Sequence, residues 1–321
     1  MSSIPPADIP VRVTRAEKIA DGIHLYEMRR PDGGELPAFT AGSHINLHVP
    51  NGLMRKYSLC SDPAARDHYR IAVKREDNGR GGSIYLVDNT KVGDEWFISA
   101  PDNAFALPQR GDNFIFIAGG IGITPFIAMI HALKDDPAKK YKLYYCARTP
   151  EMTAFREELS APEFKGKVVI HYDGGDPSKA LDLWPVVEER KNREHVYCCG
   201  PRGLMEAVRD ATGHWTPTSI HFEAFSEADA RRPDDTPFKV KLASSGVILD
   251  VPAGTTILEA MRAAGYDVPS SCESGTCGTC RTKLIAGEAD HRDLVLTESE
   301  RSSQIMICVS RAKTPDLVID R

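Results

Sequence analysis

The chain has 321 residues, 41% of them hydrophobic and 26% charged, with a formal net charge of −5. This composition excludes collagen-like, largely disordered and coiled-coil chains, and the mild acidity leaves no basic field for nucleic acid or anionic lipid. The length suggests two domains, or three small ones, and eight cysteines are the one unusual count.

The N-terminus, Met1-Ser-Ser-Ile-Pro-Pro-Ala-Asp8, lacks the basic and apolar regions of an export signal. A cytoplasmic chain with reduced thiols is therefore expected. Short β-forming runs at 11–13, 44–49, 57–59, 69–73 and 95–98 follow, separated by turn material at 31–34, 50–52 and 92–94. Many short strands at this spacing predict an antiparallel β-barrel or sandwich over residues 1–109. His44 and His48 are four apart on one of these alternating strands and are expected at the surface rather than on a metal.

The stretch 114–133 has no Asp, Glu, Lys or Arg and is long enough to imitate a membrane span. Its internal pattern reads differently. Phe114-Ile-Phe-Ile-Ala118 is a β run and Gly119-Gly-Ile-Gly122 a breaker. Thr124-Pro125 then looks like a helix start, with Thr as the cap and Pro in the first turn. Apolar runs at 114–118, 141–146, 167–172 and 195–198 alternate with helical patterns near 125–134, 151–159, 181–190 and 203–211. This predicts a parallel sheet covered by helices over 110–226.

Residues 226–236 are polar and aperiodic, which predicts a linker, bounded here as 227–235. Strands at 238–242 and 247–251 and a helix at 256–264 then open a smaller α+β unit over 236–321.

In that unit Cys272, Cys277, Cys280 and Cys308 show a C-x4-C-x2-C spacing followed by a distant fourth cysteine. This is the plant-type ferredoxin spacing for a 2Fe–2S cluster. Gly275 and Gly278 permit a tight loop whose N–H groups point at sulfur. A zinc ribbon would pair two C-x2-C units and only one is present, while a disulfide reading leaves four cysteines unexplained. Of these four, Cys60, Cys146 and Cys198 are expected as small core residues. Cys199 ends an apolar strand at Cys199-Gly-Pro201.

The glycines at 119–122 sit at a strand–helix junction, where free N–H groups and a helix N-terminus accept a pyrophosphate. Alone this is weak, because Pro125 stands where a third glycine would be. Together with Arg55-Lys-Tyr-Ser58, Arg80-Gly-Gly-Ser83 and Cys199-Gly-Pro201, however, the set resembles the ferredoxin–NADP reductase superfamily. With the ferredoxin unit at its C-terminal end, the chain is similar to the phthalate dioxygenase reductase family, from about residue 9 onward.

The resemblance implies a flavin barrel, an α/β nucleotide domain and a β-grasp ferredoxin domain. It places Arg55 near the flavin phosphate, Tyr57 against the ring and Ser58 near its N5. Ala72, Val73 and Lys74 would run along the ring, and Gly81, Gly82 and Ser83 would hold the phosphate as a backbone nest with an added hydroxyl. This arrangement favours FMN over FAD. Phe225 resembles the aromatic that closes over the flavin, or else is a core aromatic at the linker edge. Gly120, Gly122, Thr124 and Pro125 would meet NADH, and Cys199 and Gly200 would place its nicotinamide. Ser58, Thr124 and Cys199 thus stand nearest the chemistry. Asp173 either binds the adenosine ribose, favouring NADH over NADPH, or is an exposed loop acid.

The implied activity is electron transfer from NADH through FMN and the cluster to a separate Rieske-type oxygenase of an aromatic acid, carried out by a monomer. The alternatives are a reductase for another oxygenase, such as a vanillate demethylase or quaternary-amine monooxygenase, or a non-enzymatic iron–sulfur redox sensor.

Overall fold

The computed structural model describes residues 8–77, 79, 81–134, 136–225 and 231–321. The chain divides into two compact units, Met1–His221 and Phe222–Arg321.

The first unit opens with β1 (Ile9–Ala20), β2 (Ile23–Arg29), β3 (His44–His48), β4 (Met54–Ser58) and β5 (Tyr69–Lys74). A helix α1 (Gly82–Asn89) and β6 (Glu95–Ile98) follow. The strands form one antiparallel sheet in the order β4-β3-β6-β1-β2-β5. Its end strands β4 and β5 approach each other. There the Cys60 N–H donates to the Arg70 carbonyl at 2.8 Å and the Arg70 N–H to Ser61 Oγ at 3.3 Å. Two strand features escape the sequence pattern. β2 breaks strict alternation, with Leu25 and Tyr26 buried side by side, and α1 contains the β-branched Ile84 and Val87, which disfavour a helix pattern.

The same unit continues with β7 (Asn113–Gly119), α2 (Thr124–Leu133), β8 (Lys140–Ala147), α3 (Arg156–Leu159) and β9 (Val168–Tyr172). Then come α4 (Trp184–Val187), β10 (Glu194–Cys199) and α5 (Arg202–Ala211), and β11 (Ile220–Glu223) runs across the boundary at His221. The sheet order is β11-β10-β7-β8-β9, and the β10–β7, β7–β8 and β8–β9 pairs are parallel. The charge-free run is thus a buried strand followed by a helix with Thr124, Pro125, Phe126, Ile127, Ala128, Met129, Ile130 and Leu133 all buried. Among the described residues no helix is long and apolar enough to cross a membrane. In place of the predicted helices near 151–159 and 181–190 stand single turns, α3 and α4, with 3-10 turns at 150–152 and 162–164 on either side of α3. One apolar cluster, from Val11 to Cys199, runs through both sheets and fixes them as a single body.

The second unit contains β12 (Phe238–Leu242), β13 (Ile248–Val251), α6 (Ile257–Ala263), β14 (Arg281–Ala286) and β15 (Ala289–Asp290). After these come α7 (Glu298–Arg301), β16 (Gln304–Met306), β17 (Arg311–Ala312) and β18 (Asp316–Ile319). Its main sheet runs β13-β12-β18-β14-β16, with β12 and β18 parallel. Ile257, Leu258 and Met261 of α6 are buried in a second apolar cluster that also takes in Cys280 and Cys308. A capping box starts α6: Thr256 Oγ1 accepts from the Glu259 N–H at 3.1 Å, and the Glu259 carboxylate accepts from the Thr256 N–H at 2.8 Å.

Candidate redox site

Three sets of residues carry the chemistry, two in the first unit and one in the second.

The first set surrounds the start of α1. Gly81 has φ 87 and is the N-cap, with no side-chain cap and no acid in the first turn. The Gly81-Gly82-Ser83 segment, read from the sequence as a backbone nest, is therefore a helix N-terminus. Arg55, on β4, lies directly against it. A β-carbon on Gly82 would come within 2.9 Å of Arg55 Nε and 3.0 Å of its Cγ, so glycine there is what lets the guanidinium reach the helix start. Unpaired helix-start N–H groups beside a guanidinium make a site for a phosphate monoester. Asn51, missed from the sequence, braces the turn by donating to the Gly81 carbonyl at 3.4 Å. The Ser83 hydroxyl accepts from the Glu76 N–H at 3.1 Å, so it also ties the preceding loop. Arg80 lies outside the described residues.

Along the same edge, Tyr57 is largely buried, which pushes its hydroxyl up to about 12 against a smaller downward pull from Arg55. Ser58 is 5% exposed. On β5, Ala72 and Val73 are buried and Lys74 is half-buried, with its ammonium 2.5 Å from the Glu76 carboxylate. His44 pairs in register with Ser58 and is 3% exposed. The expectation of two surface histidines thus fails for His44, which its neighbours β4 and the 102 region cover; His48, half-buried, meets Asp8 at 2.7 Å. Burial, and secondarily Lys56, pull His44 down to about 4, against an opposing effect of Asp102.

The second set lies where the parallel sheet changes direction. From β7 the chain steps outward to β8 and β9, then returns to place β10 on the other side of β7, which is where such sheets open a crevice at their carboxyl ends. Gly119–Gly122 and Cys199–Gly200 end these two strands, with Cys199 opposite Ala118. The glycines serve two different purposes. A β-carbon on Gly122 would lie 2.2 Å from the Cys199 carbonyl oxygen, and Gly119 and Gly200 touch each other's main chain. Gly120, at φ 54, has nothing within 4 Å of its would-be β-carbon, so it is the glycine that faces open space.

The helix start also differs from expectation. A 3-10 turn, Gly120–Ile123, precedes α2, Ile123 is the cap, and Thr124 is already helical. The Thr124 hydroxyl donates to the Ile121 carbonyl at 3.1 Å rather than capping, while Pro125 does occupy the first turn. Cys199 is fully buried within the apolar cluster. Asp173 follows β9 and accepts from the Gly175 N–H at 2.7 Å, closing its own loop. The 120–123 turn lies against β5, so the edge carrying Ala72 and Val73 and the strand-end crevice adjoin within one unit.

Of the other thiols, Cys60 and Cys198 are buried in the core, and burial pushes Cys60 up to about 12. Cys146 is only half-buried, and its thiol rises to about 11 through burial and Asp173. Phe225 is 48% exposed, so the core-aromatic alternative does not hold.

The third set is the cysteine loop. The thiols meet as two pairs, Cys272 with Cys277 and Cys280 with Cys308. Two irons bridged by two sulfides need two thiolates each, so paired thiols suit a binuclear cluster. Among the described residues no group of three or more His, Cys, Asp or Glu side chains forms a single-ion site. Main-chain donors converge on the sulfurs: Ser274 and Thr276 N–H on Cys272 Sγ, both at 3.4 Å, and Cys272 N–H on Cys277 Sγ at 3.5 Å. Cys272 is the acidic thiol of its pair, first because Cys277 bonds to it and then, against burial, because Thr276 and Ser274 do. Gly275 has φ 74, and a β-carbon there would strike Val309 Cγ2 at 2.7 Å. Behind it, Asp293 is completely buried and its Oδ2 accepts from the Val295 and Leu296 N–H groups at 3.1 and 2.7 Å.

Comparison with known proteins agrees with this division. Residues 10–106 match the model of the oxidoreductase FAD-binding domain, 116–210 that of the oxidoreductase NAD-binding domain and 240–313 that of the 2Fe-2S iron-sulfur cluster binding domain. The chain is 50% identical to phthalate dioxygenase reductase of Burkholderia cepacia, over 97% of this chain and 96% of that protein. It is 51% identical to the phthalate 4,5-dioxygenase oxygenase reductase subunit of Pseudomonas putida, with the same coverage. A solved structure of phthalate dioxygenase reductase, described as a modular structure for electron transfer from pyridine nucleotides to [2Fe-2S], superposes with a TM-score of 0.73. It has 49% sequence identity and covers 98% of both chains.

Proposed function

The chain belongs to the family of phthalate dioxygenase reductases, and from that premise we propose that it is an oxidoreductase passing electrons from NADH through FMN and a 2Fe–2S cluster to a Rieske-type oxygenase of an aromatic acid. The observation that carries the reading is the contact of β5 with the 120–123 turn, which supports one crevice shared by a flavin ring and a nicotinamide. The proposed partition is 1–109 for flavin, 110–226 for NADH, 227–235 as linker and 236–321 for the cluster, in a cytoplasmic monomer.

When bound, FMN converts a two-electron hydride into single electrons, which a 2Fe–2S cluster carries one at a time. The chain's own residues bind and orient. Arg55 and the first amides of α1 hold the single phosphate, which supports FMN. Tyr57, Ser58 and the Ala72-Val73-Lys74 edge wall the ring. Gly120 leaves room for the pyrophosphate at the N-terminal end of α2, while Thr124, Cys199 and Gly200 border the nicotinamide and exclude water from the reacting faces. Asp173, with one oxygen committed to Gly175, keeps the other for a ribose hydroxyl and disfavours a 2′-phosphate. The four cysteines, dressed by main-chain N–H groups, hold the cluster.

An anaerobic NADH titration followed by visible absorption and low-temperature EPR tests the reading. The protein should take up three electrons, two in flavin and one in the cluster. Cys277→Ser should keep flavin reduction by NADH and lose delivery to a phthalate-type oxygenase. Normal oxygenase turnover with this variant would overturn the order of transfer.

A further inference from the structure

Among the described residues only Phe155, Arg193 and Glu273 take a positive φ without being glycine, and Glu273, at φ 52, directly follows Cys272. This conformation is unfavourable for any residue with a β-carbon. In the same loop Gly275 and Gly278 adopt φ 74 and 83 without that penalty. The left-handed positions have a direct consequence. Ser274 and Thr276, each following one of them, both direct their N–H groups at Cys272 Sγ. Such alternation is how main-chain donors are gathered around an anionic atom.

Backbone geometry alone asks for glycine at 273. What glutamate adds is a carboxylate, and its Oε1 is held from two sides. It accepts from Arg262 Nη2 at 2.8 Å and from Ser270 Oγ at 2.7 Å. Arg262 also donates to Ser270 Oγ, so the three side chains close a ring. The foundation of that ring is rigid. Arg262 stands in the last turn of α6, whose first turn is fixed by the Thr256–Glu259 capping box and whose inner face is buried through Ile257, Leu258 and Met261.

We propose that Arg262 and Ser270 are positioning residues for the iron–sulfur cluster: they clamp the Glu273 carboxylate, hold its backbone left-handed and so keep the Ser274 N–H on Cys272 Sγ. This rests on the iron–sulfur reading of the loop. Reduction adds negative charge to the cluster and its sulfurs, so a donor to Cys272 stabilises the reduced state more than the oxidised one. Releasing the clamp therefore lowers the reduction potential.

The test uses the full-length holoprotein, with iron and sulfide content measured and the cluster titrated redox-potentiometrically by EPR. Arg262→Ala is expected to shift the reduction equilibrium toward the oxidised form about tenfold, which is about 59 mV for one electron. Loss of a positive charge alone could act in the same direction, and two double variants of equal charge separate the causes. Arg262→Ala with Glu273→Gly should recover the native potential, because glycine takes φ 52 with no steric penalty and needs no clamp against one. Arg262→Ala with Glu273→Gln should stay low, because glutamine has a β-carbon and has lost the Arg262 half of the clamp. Equal potentials in the two double variants would overturn the proposal. If Arg262→Ala fails to assemble a cluster, assembly restored by Glu273→Gly but not by Glu273→Gln supports the clamp, and equal behaviour again overturns it. An unaltered protein with no reducible iron–sulfur signal would instead refute the reading of the loop.

Discussion

Gly122→Ala should damage this protein far more than its single added carbon suggests. The new β-carbon would sit 2.2 Å from the Cys199 carbonyl oxygen, 2.5 Å from its carbon and 2.9 Å from the Gly200 nitrogen. Ordinary contact begins at 3.4 Å, so relief requires about 1 Å of separation between two main chains. No side chain can swing aside, and the movement would strain the β10–β7 pairing at Cys199 and Ala118. Overpacking usually costs about 1–3 kcal/mol, and a clash with three main-chain atoms of the 199–200 peptide puts this case near about 3 kcal/mol. For a unit of the size of Met1–His221, that is roughly 6–12 °C in its melting temperature. Differential scanning calorimetry of the holoprotein measures the shift, and NADH steady-state kinetics with ferricyanide should show a raised KM. Gly120→Ala is the comparison. Its neighbourhood is empty and its cost is only the left-handed backbone, about 1 kcal/mol. A Gly122→Ala protein melting within about 2 °C of the unaltered one, the least that about 1 kcal/mol would produce, or melting above Gly120→Ala, would refute the close-approach argument.

Two further outcomes are expected. His44 is held down to about 4, so between pH 6.5 and about 4 the unfolded chain binds a proton that the folded chain refuses. Its contribution is intact above pH 6.5 and falls away on acidification, by about 3 kcal/mol at pH 4. Denaturant midpoints measured across this range should flatten in His44→Gln, and an unchanged pH slope would contradict the burial argument. Arg55→Gln removes a guanidinium from the start of α1 and should weaken FMN retention by about tenfold to a hundredfold, measured by fluorescence on dilution. A flavin bound as tightly as before would place the phosphate elsewhere.

What could be read early was written in short stretches of chain. The C-x4-C-x2-C loop, the alternation of apolar runs with helical segments after 110, and the β-rich beginning depend on neighbours within about ten residues, where spacing and period act directly. The same locality explains the misreadings. Thr124 looked like a cap because Thr-Pro commonly starts helices, yet the 3-10 turn at 120–123 moves the cap to Ile123. His44 looked exposed because its strand alternates, yet tertiary neighbours bury it. The helix at 82–89 was invisible because Leu86 is its one large buried side chain.

The cysteine count that opened the reading now divides along the same line. Sequence by itself pointed to four cysteines as cluster ligands, because three of them share one loop with a recognisable spacing, whereas the pairing of Cys280 with the distant Cys308 came from the fold. It also marked the glycine-rich strand end at 119–122 as a candidate nucleotide site. Only the tertiary structure decided which glycine serves which purpose: Gly120 faces open space, whereas Gly122 exists for the carbonyl of Cys199, a residue remote in the chain. It likewise decided that Arg262 on α6 reaches the cluster loop at Glu273. Contacts between distant segments are set by how helices and sheets pack, and no local pattern records them.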